Sequence, residues 1–184
     1  VKTLYTVENQ AFSNKAHRAA KSYIYPRVFR NNNISIKDTL LGSGEMESIL
    51  DGQLAIDRII HIPSLNGTIK ITVQERFRKP CHARFRDIAI TEWNNASGLE
   101  GELYKLHSNL FVYGYYDDER DLFLEIVVVD VPMLLMRIAT NTIPYTQTYF
   151  EEKMQSAVNV KFDDIKATRC LIYAARNIGH TAVP

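Results

Sequence analysis

Leu54-Ala55-Ile56-Asp57-Arg58-Ile59-Ile60-His61-Ile62-Pro63-Ser64-Leu65-Asn66-Gly67-Thr68-Ile69-Lys70-Ile71-Thr72-Val73-Gln74-Glu75-Arg76-Phe77 reads as two strands joined by a turn. Ile and Val recur through Leu54–Ile62 and Thr68–Phe77, and such branched side chains suit a pleated surface. Between them, Pro63 to Gly67 has hairpin-turn chemistry, with Asn66-Gly67 the strongest cue. Ile56, Ile59 and Ile60 on one run, and Ile69, Ile71 and Val73 on the other, make both faces apolar. Runs of that kind are central strands, covered on each side.

A turn centred on Leu65 and Asn66 sets Asp57 directly across from Gln74. Alternate residues share a face, so Arg76 joins Asp57 and Gln74 while Glu75 points the other way. A carboxylate, an amide and a guanidinium then meet on an otherwise apolar face. Burying them unpaired is costly, so they need partners or a purpose. The same residues also read as a cross-strand ion pair of Asp57 with Arg76, with Gln74 bonded to backbone.

Upstream, Phe12, Ala16, Ala19, Ala20, Tyr23 and Ile24 form an apolar stripe at helical spacing, predicting a helix over Asn9–Tyr25 that Pro26 ends. Its other side carries Lys15, Arg18 and Lys21, three apart, as a solvated face or a contact surface. Downstream, residues 76–86 hold five Lys and Arg (Arg76, Arg78, Lys79, Arg84, Arg86), no acid, and the aromatics Phe77 and Phe85. Such a segment suits phosphate contacts, with Arg side chains free to approach bases. It is equally compatible with Phe77 and Phe85 as core anchors and the charges in water.

The hairpin residues resemble a known family. Asp57, a turn, and then Val73-Gln74-Glu75-Arg76 at the end of the next strand resembles the core of the PD-(D/E)XK, or restriction-endonuclease-like, nuclease superfamily. There an Asp on one strand is followed by (D/E/Q)-x-K on its neighbour. The preceding basic helix is similar to that of archaeal and viral Holliday-junction resolvases, and the resemblance spans roughly residues 9–93. It implies hydrolysis of DNA phosphodiesters, extending to branched DNA, with Mg²⁺ or Mn²⁺. Asp57 would supply an anionic oxygen, Gln74 an amide oxygen, and Glu75 its backbone carbonyl. Arg76 stands where the family has Lys; it holds charge against a phosphate but does not readily shed a proton. Gln74 removes one negative charge, which a nearby Glu would restore: Glu47, then Glu45, then Glu8.

The rest of the chain sets the frame. With 184 residues, 46% hydrophobic and 23% charged, and no linker or repeat, it reads as one globular domain, 1–184. Strands are expected at Phe85–Trp93, Leu110–Tyr116 and Leu122–Asp130, the last two a second hairpin. Helices are expected at Leu99–His107, Met133–Ala139 and Glu151–Val158, and Thr168–Ala175 reads as helix or strand. The fold class is therefore mixed α+β (α/β), with a central mixed sheet flanked by helices.

The first 86 residues carry a net charge of +7 and the remainder −6, which together give +1. A basic front half favours a polyanion partner, unless the two halves simply face each other. Cys81 and Cys170, without CxxC spacing, read as free thiols of a cytoplasmic protein. No run approaches a membrane span, and no signal-peptide pattern opens the sequence. The five His lack metal-ligand spacing, and Gly-rich phosphate motifs and the Gly-x-Ser-x-Gly elbow do not occur. Trp93 and Tyr113, Tyr115 and Tyr116 read as packing. The apolar run from Leu122 to Met136 exceeds what a half-exposed strand needs, so a homodimer is expected, with both Asp57 sites on one side. Two further classes stand beside the nuclease. One is a nuclease-like fold that binds nucleic acid without cutting it. The other is an interaction protein whose basic half meets an acidic partner.

Overall fold

The computed structural model describes residues 7–30, 33–39, 49–50, 53–94 and 98–179. Helix α1 (Val7–Tyr23) buries Phe12, Ala16, Ala19 and Ala20, the stripe its spacing demands. Pro26 does not end helical structure. It lies in the first turn of a short α2 (Tyr25–Phe29), where its missing N–H would have had no helical partner.

The hairpin follows β1 (Ser35–Asp38) as β2 (Arg58–Ser64) and β3 (Gly67–Arg78), antiparallel in the register expected, from Arg58 opposite Val73 to Ser64 opposite Gly67. Gly67 takes φ of +140°, open to glycine and strained for other residues. The expectation of cover on both faces needs correcting at the tip. Ile60 and Val73 are buried, but Leu65 is fully exposed and Ile69 half exposed, because the tip projects past its neighbours.

Strands β2 and β3 lie inside a six-stranded sheet of order β1-β2-β3-β6-β7-β10, with β6 at Leu110–Asp117, β7 at Leu122–Asp130 and β10 at Leu171–Gly179. Every pairing is antiparallel except β3 with β6, so the sheet is mixed and the fold is mixed α+β. A second sheet runs β5 (Leu99–Glu100), β4 (Asp87–Asn94), β9 (Gln155–Lys161), β8 (Thr146–Phe150). Further helices are α3 (Glu102–Lys105), α4 (Val131–Ala139) and α5 (Phe162–Lys166). Pro132 opens α4, and Asp130 caps it by accepting the Met133 N–H at 2.8 Å.

One face of the large sheet packs Ile60, Val73, Val112, Ile126 and Val128 against α1. Its other face packs Tyr113, Tyr115, Val127 and Val129 against Ile88, Ile90, Val158 and Val160 of the second sheet, with α4 and α5 alongside. A helix therefore covers one side, and a sheet most of the other.

Three local expectations change. Leu99–His107 divides into β5 and α3. Glu151–Val158 is not a helix: Met154 turns left-handed at φ of 49°, and the chain returns as β9, pairing Val158 with Ile90 and Val160 with Ile88. Long-range pairing there overrides local helix propensity. Of Thr168–Ala175, Thr168 to Cys170 form a turn and Leu171 to Ala175 the start of β10. Of the run that pointed to a second copy, Phe123, Ile126 to Val129, Val131 and Leu134 are buried in the chain's own two cores, while Met136 is 49% exposed. No described helix is long and apolar enough to cross a membrane.

Candidate functional site

Strand β3 turns a different polar face to each side. Toward α1, the buried Glu75 carboxylate collects donors from three elements: His17 Nδ1 of α1, the Tyr25 hydroxyl of α2, and Arg58 Nε of β2 at 3.1 Å. Arg58 continues the chain to Asp38 on β1. Burial pushes the Glu75 carboxyl up, but hydrogen bonding and charge from His17, with Arg58 and Tyr25 behind them, hold it below the usual carboxylate range. Burial likewise works to lower His17, and the hydrogen bond and charge of Glu75 prevail to raise it. Tyr25 is driven well up, first by burial and then by the Glu75 charge. This cluster is an internal brace with both Glu75 carboxylate oxygens engaged.

Toward the second sheet, Gln74 and Arg76 meet around Glu102. Gln74 Nε2 donates to Glu102 Oε1 at 3.1 Å, Arg76 Nη1 donates to Glu102 Oε2, and Arg76 also reaches the Ala89 carbonyl at 3.4 Å. Glu102 is seated by Gly101, whose N–H donates to the Glu92 carbonyl at 2.9 Å. A Cβ on Gly101 would lie 2.3 Å from the Thr91 carbonyl oxygen, so only glycine brings α3 this close to β4. Gln74 Oε1 is buried without a hydrogen-bond partner among the described residues.

Beyond Arg76, a cleft of about 370 Å³ opens between α1 and the second sheet. Asn9, Phe12 and Ser13 form the helical wall, and Arg76, Phe77, Arg78, Lys79 and His82 the floor. Thr91, Phe150 and Gln155 stand on the sheet wall, and no Asp or Glu lines the cleft among the described residues. Arg78 donates to the Tyr113 hydroxyl at 3.4 Å and forms no ion pair among the described residues. Lys79 sits over the Phe12 ring at 5.8 Å and reaches Glu8 at 3.4 Å on the exposed rim.

The residues singled out from the sequence distribute as follows. Gln74, Arg76, Arg78 and Lys79 gather along or beside the cleft. Asp57 Oδ2 accepts the Glu75 N–H at 2.6 Å, extending the ladder just before β2 begins, and its charge acts on His17 and Tyr25. Glu8 is exposed and paired with Lys79; Glu45 and Glu47 lie outside the described residues. Lys15 donates to the Asp118 carbonyl, and Arg18 and Lys21 are exposed on α1, away from the cleft lining. Arg84 stacks over Phe85 at 4.9 Å in the exposed turn Pro80–Phe85. Arg86 is bound on both sides, to Glu125 and Asp163.

The resemblance implies a divalent cation on Asp57, Gln74 and the Glu75 carbonyl. The described residues do not assemble a donor set for one. Asp57 Oδ2 already accepts an N–H, both Glu75 oxygens carry donors, and no three His, Cys, Asp or Glu side chains converge among the described residues. Gln74 Oε1 is a hard oxygen, but neutral.

Sequence reasoning passed over Glu102, Phe150 and the Glu75 brace. His17 had a signal, since it lies beside the apolar stripe of α1, where a polar residue needs a buried partner. Glu102 and Phe150 had none, because folding brings them from distant segments. Comparison with protein-family models, with curated proteins and with solved structures finds no match to this chain.

Proposed function

We propose that this chain binds nucleic acid, with DNA as the first ligand to test, along the cleft between α1 and the second sheet, and that it does so without cutting. One observation carries the reading: Arg76, Arg78 and Lys79 line a single cleft whose described lining holds no acid. Cations so arranged favour a phosphate backbone, releasing its condensed counterions on contact. The net +7 of the first 86 residues supports it from the sequence side.

The test is the salt dependence of DNA affinity. Arg78→Ala combined with Lys79→Ala removes two phosphate contacts, so the slope of log affinity against log salt falls by about 1.8. Arg84→Ala, outside the cleft, leaves it unchanged. A slope untouched by the double variant overturns the proposal. Cleavage of linear or four-way-junction DNA in Mg²⁺ or Mn²⁺, lost in Gln74→Ala, replaces binding alone by the nuclease reading. The resolvase-like version adds a homodimer, which sedimentation of the full chain with junction DNA tests directly.

A further inference from the structure

The cleft is chemically divided. Arg78 and Lys79 hold its floor, while the opposite wall carries Phe150, 40% exposed at the end of β8. The other two aromatics of the lining are occupied: Phe12 lies beneath Lys79, and Phe77 packs its ring on His17 and Phe123 at 5.3 and 5.2 Å. Phe150 has no ring partner among the described residues. Beside it stands the Gln155 amide, and across from it the Ser13 hydroxyl, neutral groups able to donate and accept.

Size narrows the ligand. A volume of about 370 Å³ is near the lower end of small-molecule sites, which run roughly 300–1,000 Å³. That is the scale of one nucleotide. A cation pair, a free aromatic face and neutral hydrogen-bonding groups match the phosphate, the base face and the base edge of one unpaired nucleotide.

We propose that the cleft takes a single unpaired nucleotide of a DNA strand, its phosphate on Arg78 and Lys79 and its base stacked on Phe150. This rests on the nucleic-acid reading above and adds a preference: single-stranded DNA, or the unpaired part of a branched one, over duplex. Stacking tolerates any base, because every base presents a π-face, so the preference is for strand state and not for sequence.

Fluorescence anisotropy with the full chain, using one labelled oligonucleotide alone and annealed to its complement, separates the two levels. Wild type is expected to bind the single strand more tightly. Phe150→Ala weakens single-strand binding by about five- to a hundredfold. Phe150→Trp restores it, which loss of a merely structural side chain would not predict. Circular dichroism checks that each variant is folded; an unfolded Phe150→Ala leaves the strand preference and Phe150→Leu to decide, the latter losing affinity as a non-aromatic of similar bulk. Equal affinity for both DNAs, or no effect of Phe150→Ala or Phe150→Leu, overturns this proposal. If Arg78→Ala with Lys79→Ala still lowers the salt slope in that case, the nucleic-acid reading survives alone. Binding of neither DNA by wild type removes both.

Discussion

His17 of α1 and Glu75 of β3 are hydrogen-bonded through Nδ1 and Oε2, and the bond joins one wall of the cleft to its floor. Asn9, Phe12 and Ser13 stand on the same helix as His17, and Arg76 and Arg78 on the same strand as Glu75. Glu75 of β3 therefore holds the helix, while Arg76 and Arg78 present cations. The floor of the cleft is held from behind by a buried group: the Glu75 side chain is inaccessible and its oxygens are satisfied from three elements.

That bond predicts a pH profile for stability. His17 has a native pKa above its ordinary 6.5, so its contribution is complete below 6.5 and fades as pH rises through the native value. Glu75 has a native pKa below its ordinary 4.5, so its contribution is complete above 4.5 and is lost as acid carries pH through the lower native value. The pair stabilises most between those two ordinary values. His17→Gln is expected to lose about 1.5–3 kcal/mol near pH 5.5 and to flatten the alkaline decline. Urea midpoints across this range check it, and an unchanged alkaline limb in the variant would contradict the assignment.

Glu125 makes a second, independent prediction at the acid end. Burial raises its pKa, but hydrogen bonds from Arg86, Lys166 and Arg176 outweigh that and bring it down to about 2. The stabilisation is therefore full above 4.5 and disappears as pH falls toward 2. Its partners are half exposed, so solvent screens the charges and the gain is modest. Glu125→Gln should lower stability at neutral pH by about 1–2 kcal/mol and make acid unfolding shallower. Acid titration followed by circular dichroism reads the slope; wild-type steepness in the variant would refute the network's role.

The hairpin was legible because its information is local: Asn66-Gly67 marks the turn, and alternation beyond it fixes which residues oppose. The parity of β3 followed, and with it the separation of Gln74 and Arg76 from Glu75. What each face meets was not legible. Glu102 arrives through α3, and Phe150 through a strand from the last quarter of the chain, and neither has a sequence neighbour that announces it. Glu151–Val158 shows the same limit from the other side. Its composition permits a helix, and only pairing of Val158 and Val160 with β4 makes it a strand.

Glu102 offers a prediction with the opposite sign to most. Its carboxylate holds both Gln74 and Arg76, and thereby draws charge out of the cleft. Glu102→Ala should release Arg76 to phosphate, tightening DNA binding and steepening the log–log salt slope by up to about 0.9. α3 is a four-residue helix on the second sheet, so little of the core is disturbed. Weaker binding, in a variant that is still folded, would place Arg76 outside the contact surface.

Asp57 is where the two readings of the hairpin differ most. Resemblance makes it a metal ligand on an apolar face, whose replacement would leave folding intact or improve it. The structure gives it a bond: Oδ2 accepts the Glu75 N–H at 2.6 Å, just before β2 begins. Asp57 is itself only 6% exposed, so removing the acceptor leaves a buried N–H unsatisfied. Asp57→Ala should therefore destabilise the chain by about 1–3 kcal/mol. Asp57→Asn, whose amide oxygen can still accept, should lose less and fold normally. Affinity for DNA, measured on both variants below their unfolding transitions, should stay at the wild-type level, because Asp57 does not line the cleft. Denaturation curves and anisotropy together decide the matter. If Asp57→Ala is as stable as wild type, and a metal-dependent cleavage activity vanishes with it, the carboxylate serves chemistry, and the structural role assigned to it is wrong.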